Sequence, residues 1–434
     1  MSDEIKDVQN AQEESQQIDE QTRDEKEGIL KDLDGKKAKK KREKKNLTPE
    51  QKKRKTIKAL IITGSVVLAL AIFFSGCAIA STVNTNAHLS FASSFEKVEY
   101  TEHDQLAPTF DDELGYWTFT KDADRDFKVL QFTDVHIGGS LSTRKKDKLA
   151  LAAVEKVVKN ANADFIAVTG DMVYPMPWLL QGSFNNLKSS KMFASLMESL
   201  GVEWTVVFGN HDSEVWAKLN KHQLADFYTS QPHCHFQKGD PDIFGVGNYC
   251  IPLLNEDGSL NTALMFIDSN AYLTWNFFSG FDVIHDDQIE WYKKEIAALS
   301  KDGEVAKSLA FFHIPPKEFK EGWDKCYRGS SEATYHCGFV QEKDNYFGYP
   351  KTKEGKFFGE MVKLGSCKGM FMGHDHLNTL SMTYKGIRLT YGMSIDYNAY
   401  KDIDKRFTQR GGTLIDIYDD GTFDVKLLPL TSLE

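Results

Sequence analysis

Five short apolar runs along this chain have the length and composition of buried strands: Phe127–Thr133, Asp164–Thr169, Trp204–Phe208, Ser308–Phe312 and Lys368–Met372. Between them, apolar residues recur at helical intervals. Lys145–Asn160 places Leu149, Leu151, Val154, Val157 and Val158 in this way, and Met192–Leu200 and Gln288–Leu299 do the same. From Thr379 to Tyr391 and from Gly412 to Leu430 the pattern turns to strand-like alternation, with Asp419-Asp420-Gly421 as a hairpin turn. The periodicity predicts a mixed α/β domain. One stretch follows neither pattern. Ala59–Ser81 holds 23 residues without a charge, broken inside only by Thr63, Ser65 and Ser75 among small and apolar residues. At ~1.5 Å per helical residue it covers the ~30 Å hydrocarbon core of a bilayer.

Charge settles how that stretch is read. The 434 residues carry a formal net charge of −10, unevenly spread. Positions 1–34 are mostly acidic or amide residues with almost no aromatics, a composition predicted to be disordered. A basic run follows, from Lys36 to Lys58, and fits either a nucleic-acid-binding tail or the cytoplasmic flank of a membrane span. The uncharged run directly after it selects the second reading, in which residues 1–58 stay in the cytoplasm and the rest lies outside. The flanking cations then either contact anionic lipid or act as solvated anchors. Phe74-Ser75-Gly76-Cys77 loosely resembles a bacterial lipobox, so Cys77 is either lipidated or part of a small-residue helix end. Residues 82–126 read as an extracytoplasmic stalk leading into a peripheral strand pair, Val98–Thr101 with Tyr116–Thr120. The domain proper is predicted at 127–434. Beyond position 58 the net charge is −13, a poor docking surface for long nucleic acids, and no nucleic-acid partner is expected. The remaining cysteines, Cys234, Cys250, Cys326, Cys337 and Cys367, are odd in number; Cys326 and Cys337 are the best-placed disulfide candidates, and free thiols are the alternative.

Each of the five strand-like runs ends in potential metal ligands. In order these are Asp134-Val135-His136, Gly170-Asp171, Gly209-Asn210-His211-Asp212, His313, and Gly373-His374-Asp375-His376. Carboxylate, amide and imidazole donors suit a pair of divalent or trivalent ions, and ligands at the carboxyl ends of strands converge at the loop edge of an α/β sheet.

The order and spacing resemble the calcineurin-like metallophosphoesterase superfamily, with its D-x-H, G-D, G-N-H-[DE], H and G-H-x-H segments, from about Asp126 to Leu430. Phe266-Ile267-Asp268-Ser269-Asn270 before Gly280-Phe281-Asp282, His313-Ile314-Pro315-Pro316-Lys317-Glu318-Phe319, and Tyr391-Gly392-Met393-Ser394-Ile395-Asp396-Tyr397 are most similar to its short purple-acid-phosphatase-like branch. The resemblance implies a four-layer α-β-β-α sandwich. It assigns Asp134, His136, Asp171 and His376 to one metal and Asp171, Asn210, His313 and His374 to a second. Asp171 bridges by giving an oxygen to each ion, with the ions being manganese, iron or zinc. It also implies that His211 touches the substrate as general acid or charge stabiliser, with Asp212 holding its other ring nitrogen. Asp375 is either an outer partner of the ligands or a solvent-exposed turn residue. Tyr174, in Gly170-Asp171-Met172-Val173-Tyr174, fits the G-D-x-x-Y of purple acid phosphatases, where the phenolate binds ferric iron. Those enzymes carry Gly where this chain has His136, so Tyr174 is expected to line or pack the site instead. The implied activity is phosphomonoester hydrolysis by a metal-bridging hydroxide, in a membrane-anchored, extracytoplasmic protein. A phosphodiesterase acting on nucleotides or envelope polymers, and a non-catalytic metal-binding receptor or scaffold, are the alternatives.

Overall fold

The computed structural model describes residues 48–433 except 102, 113–114, 178–181 and 275–278; the acidic stretch 1–34 and the Lys36–Lys45 run lie outside the described residues. The chain forms two compact units, Met1–Gly76 and Cys77–Glu434. In the first, the described residues belong to helix α1 (Pro49–Ala92). Its start is a reciprocal cap. The Thr48 hydroxyl accepts from the Gln51 N–H, and the Gln51 carboxamide accepts from the Thr48 N–H. Leu60, Ile72 and Phe74 are all about two-thirds exposed, so the apolar run has no polar face to set against a core. By length and composition α1 is able to cross a membrane.

Within the second unit α1 continues past Ser81 to Ala92, where a stalk was expected. Asn84, His88 and Ala92 recur every fourth residue and are buried, which makes one face of this part of α1 a packing surface. Leu89 and Phe91 pack against the main core, and the Ser199 hydroxyl donates to the Ala92 carbonyl.

The strands follow in the order β1 (Thr109–Asp111), β2 (Tyr116–Thr120), β3 (Phe127–Phe132), β4 (Phe165–Thr169), β5 (Trp204–Val207), β6 (Tyr249–Leu254) and β7 (Leu260–Phe266). They continue with β8 (Ser308–Phe311), β9 (Ala333–Cys337), β10 (Cys367–Met372), β11 (Ser381–Tyr384), β12 (Ile387–Tyr391), β13 (Gly411–Ile417) and β14 (Phe423–Pro429). Two sheets result, β14-β13-β3-β4-β5 and β1-β2-β6-β7-β8-β10-β12-β11-β9. The strands at the heart of each, β3-β4-β5 and β7-β8-β10-β12, run parallel. β4 and β5 are buried on both faces, as their unbroken apolar sequences require.

Alternation along β6 and β7 divides the interior. Tyr249, Ile251, Leu253, Leu264 and Phe266 join the core shared with the five-stranded sheet; Cys250, Ala263, Met265 and Ile267 face the opposite way. That second face is covered by helices Asp286–Leu299, Lys317–Tyr327 and Phe357–Leu364, whereas Arg144–Ala161 and Asn186–Leu200 pack on the first sheet. Tyr249, Phe266, Phe311 and Phe371 stack across the inner face at centroid spacings of 5.0, 5.0 and 5.1 Å. Such pairs contribute ~0.5–1.5 kcal/mol each beyond their buried area.

The structure decides three local readings. The partner of β2 is Thr109–Asp111, not Val98–Thr101; the Val98 N–H is used up on the Leu200 carbonyl that ends a helix. Cys326 and Cys337 are free thiols, and Cys326 Sγ lies 3.9 Å from Met382 Sδ. The metal-ligand segments belong to two sheets, since β3, β4 and β5 lie in one and β8 and β10 in the other.

Candidate metal centre

Loops leaving the carboxyl ends of β3, β4, β5, β8 and β10 meet where the two sheets adjoin. The backbone at that meeting is tight. Asp134, His136, Asp171 and His374 all adopt left-handed φ, between 50° and 79°. This conformation costs a non-glycine residue on the order of 1–3 kcal/mol, and it persists where surrounding contacts enforce it. Glycine is required beside it. A Cβ on Gly209 would lie 2.2 Å from Asp171 Oδ1, and one on Gly170 (φ 88°) would lie 2.7 Å from both the Gly209 nitrogen and His313 Nδ1.

Two donor groups form there, Asp134-His136-Asp171-His376 and Asp171-His313-His374, with the donor atoms of each within 4.8 Å of one another. Asp134 Oδ1, His136 Nε2, Asp171 Oδ2, Asn210 Oδ1 and His313 Nε2 are buried and have no hydrogen-bond partner among the described residues. Orphaned polar atoms are costly, and so many at one point fit metal ligation, which supplies the missing partner. Asp171 is central. Its Oδ1 accepts the His211 N–H at 2.7 Å, while Oδ2 lies 3.1 Å from His313 Nε2 and 3.5 Å from His136 Nε2. The oxygen facing both groups is therefore Oδ2, while Oδ1 is engaged by the His211 N–H.

Neighbouring groups orient the ligands. His313 Nδ1 lies 2.7 Å from the Thr169 carbonyl, which can only accept, so that nitrogen carries the proton and Nε2 is left as the donor. His376 Nδ1 is 2.8 Å from Asp396 Oδ2, which leaves Nε2 facing Asp134 Oδ1 at 3.3 Å. The Asn210 amide is fixed by donating from Nδ2 to the Tyr272 hydroxyl at 3.1 Å, which turns Oδ1 inward. Asn398 Nδ2 donates to the His136 carbonyl and to Asp147, whose carboxylate also takes the Gly138 and Gly139 N–H groups.

Electrostatics follow from this packing. Burial would raise the Asp171 pKa, but His313 and His211 outweigh it and hold the carboxyl well below its usual range. Burial opposes charge on His313 and His376 too, yet Asp171 lifts the former to about 9 and Asp134 lifts the latter to about 10. Burial and the neighbouring His313 push His374 well below the ordinary imidazole value.

The expected His211–Asp212 pair does not form. Asp212 accepts the backbone N–H groups of Gly209, Asp171, Met172 and Val173, so it clamps the two ligand loops together. His211 Nδ1 instead meets Glu214 Oε1 at 2.8 Å, and the Tyr272 hydroxyl donates to the same oxygen at 3.1 Å. Burial works against protonation of His211, but Asp171 and Glu214 raise its pKa. Glu214 and Tyr272 are absent from the motif reading, and Asp396 entered it only within the Tyr391–Tyr397 segment, with no role. For Glu214 the available signal was its spacing, three residues after His211. Asp375 is buried and accepts from the Gly348 N–H and the Tyr391 hydroxyl, so it tethers a loop and is not an exposed turn residue. Tyr174 sets its ring 5.4 Å from both His136 and His211, edge to face, and burial raises its phenol to about 12.

A mixed α/β sandwich with carboxylate and imidazole donors at the junction of its sheets defines a metallophosphoesterase. The calcineurin-like phosphoesterase family matches residues 127–378, more than half of the chain, and the chain belongs to that family. Its relatives place it in the purple-acid-phosphatase-like branch. It is 29% identical over 308 residues to probable inactive purple acid phosphatase 28 of Arabidopsis thaliana, which covers 64% of this chain and 72% of the relative. It is 28% identical over 305 residues to probable inactive purple acid phosphatase 29 of the same plant, over 63% and 73% of the two chains. A dimetal phosphatase from Danio rerio is similar at 13% identity and a TM-score of 0.46, over 71% of this chain and 97% of that one.

Proposed function

We propose that the protein is a membrane-anchored phosphoesterase with its catalytic domain outside the cytoplasm, hydrolysing phosphomonoesters with two metal ions. The observation that carries this reading is the set of five unpartnered donor atoms, on Asp134, His136, Asp171, Asn210 and His313, between two groups that share Asp171. Asp134, His136, Asp171 and His376 would hold one ion and Asp171, Asn210, His313 and His374 the other. When bound, such a pair binds phosphate oxygens and makes a water nucleophilic at neutral pH.

The chain's own residues supply the rest. Asp171 holds the two groups together and, through its Oδ1, fixes the backbone of His211. Glu214 holds His211 Nδ1 and leaves Nε2 as the ring nitrogen able to deliver a proton to the leaving alkoxide. Asp212 keeps the β4 and β5 loops in register, and Tyr174 lines the site beside His136 and His211. The anchor is Ala59–Ser81, oriented by the thirteen Lys and Arg residues between Lys36 and Lys58.

A non-catalytic metal-binding role is the second reading, and the relatives named probable inactive purple acid phosphatases favour it. Against it stand the complete donor set and the held His211. The test is a screen of the detergent-solubilised full chain against chromogenic monoesters and diesters, with metal analysis of the same sample. Metal-dependent turnover of monoesters above diesters supports the proposal. Faster diester turnover moves the assignment to a phosphodiesterase, and a metal-loaded sample inert to both establishes the second reading. In intact cells, protease should remove the domain and leave a tag at Met1 protected; the reverse pattern inverts the topology.

A further inference from the structure

The buried face of α1 borders a cavity that the metal centre does not use. It measures about 220 Å³, and its wall includes Ser81, Asn84, Gly139, Leu141, Phe184 and Lys188. Asn84 is 1% exposed, and neither its side-chain oxygen nor its side-chain nitrogen has a hydrogen-bond partner among the described residues. Lys188 is 7% exposed, and its Nζ donates to the Ser81 carbonyl at the long distance of 3.5 Å. An ammonium has three donors and an amide two, so most of the hydrogen-bonding capacity here is unspent. Removing such groups from water is unfavourable unless a ligand replaces the water. Asp147, the neighbouring carboxylate, is already occupied by the Gly138 and Gly139 N–H groups and the Thr143 hydroxyl. A small cavity with a cation and amide donors matches an anion with several oxygens.

The surroundings say which anion. Ser81 closes the apolar run, ahead of the polar Asn84, Thr85 and Asn86, and marks the level at which a bilayer's headgroups begin if that run spans it. Leu141 and Phe184, on the cavity wall, are 58% and 47% exposed, and α1 exposes Ile79 and Val83. A cavity that sets a cation and an amide among exposed apolar side chains suits a ligand that is charged at one end and apolar at the other. We propose that this cavity binds the phosphate headgroup of an anionic membrane lipid, with Lys188 and Asn84 donating to its oxygens and Leu141 and Phe184 set among the acyl chains. The inference rests on the membrane-anchored reading above and concerns a site separate from the metal centre.

The test uses the full chain in mild detergent, with native mass spectrometry to count bound phosphatidylglycerol or phosphatidylcholine and with inorganic phosphate as competitor. Wild type and Lys188→Arg should retain one phosphatidylglycerol per chain. Lys188→Met, and Asn84→Asp with its added negative charge, should bind it about tenfold more weakly, as the loss of a charge-assisted hydrogen bond implies, with metal content unchanged. The wild-type comparison of the two lipids stands whether or not the variants fold. Equal retention of both lipids, or a Lys188→Met protein that binds like wild type, overturns the proposal. So does displacement of the lipid by millimolar phosphate, which would make the site a free-anion site. A chain that alkaline carbonate strips from membranes overturns the span and the lipid site together, whereas a membrane-integral chain insensitive to Lys188→Met overturns the lipid site alone.

Discussion

Glu214 offers the most direct access to the chemistry, because it touches His211 and none of the metal ligands directly. It is 6% exposed, and its Oε1 receives His211 Nδ1 at 2.8 Å and the Tyr272 hydroxyl at 3.1 Å. A hydrogen bond to a charged group contributes ~1.5–3 kcal/mol. Glu214→Ala removes that hold and should lower kcat by roughly 10–150-fold at ~1.36 kcal/mol per tenfold. Glu214→Gln keeps a neutral acceptor of the same shape, so about tenfold is expected. The loss should depend on the leaving group, because a proton donor matters most when the departing oxygen is basic. The assay measures kcat of the full chain on aryl phosphates of graded leaving-group pKa, with metal content determined in parallel. In the variants log kcat should fall more steeply with leaving-group pKa, at unchanged metal content. Equal losses across the series, accompanied by lost metal, would show that Glu214 retains ions through Tyr272 and Asn210, and the reasoning about His211 would fail.

Asp171→Asn preserves size but removes the charge facing both donor groups, so metal content and turnover should fall together; full activity in a verified variant refutes the shared-carboxylate arrangement. Metal loading should depend on pH. With His313 raised to about 9 and His376 to about 10, the metal-free protein holds protons on both at neutral pH, and an ion must displace them. Affinity should therefore rise with pH up to that range, with roughly two protons released at pH 7 in calorimetric titrations across buffers of different ionisation enthalpy; no release contradicts the assignment. For stability the sign is opposite: with folded values above the ordinary 6.5, these two groups stabilise the metal-free protein below about pH 6.5, and the contribution is lost as pH rises through 9 to 10. The metal-loaded protein should be colourless, and Tyr174→Phe should keep its metals; a visible band bleached by that substitution would show a ferric phenolate.

The strands that carry the ligands were legible in the sequence because they are parallel and buried on both faces, which leaves continuous apolar runs such as Phe165–Thr169 and Trp204–Val207. Their helices were equally plain, with Lys145–Asn160 read against Arg144–Ala161 found. The region before β2 was not. Val98–Thr101 has strand-like residues, but the backbone hydrogen bond of Val98 goes to a helix end, and no local pattern encodes that choice. The helical state of residues 82–92 was hidden for a related reason. Asn84 and His88 look like surface residues, and only the domain they dock against makes them buried.

The same distinction explains the site. Asp134, His136, Asp171, Asn210, His313, His374 and His376 follow strand ends in fixed short motifs, so their convergence is a consequence of sheet topology and can be read ahead of the structure. The groups that orient them come from elsewhere in the chain. Asp396 reaches His376 from the segment after β12, and Tyr272 reaches Asn210 from the loop after β7, 62 positions away. Asp212 misled because adjacency in sequence suggested contact with His211, whereas four backbone N–H groups from the β4 and β5 loops compete for its carboxylate. A carboxylate so engaged has little capacity left for a side chain, and the orienting role passes to Glu214, three positions after His211. Motif spacing thus identifies groups that bind in common, and it is the accounting of hydrogen bonds in the folded chain that decides which neighbour sets the tautomer of the one residue placed to move a proton.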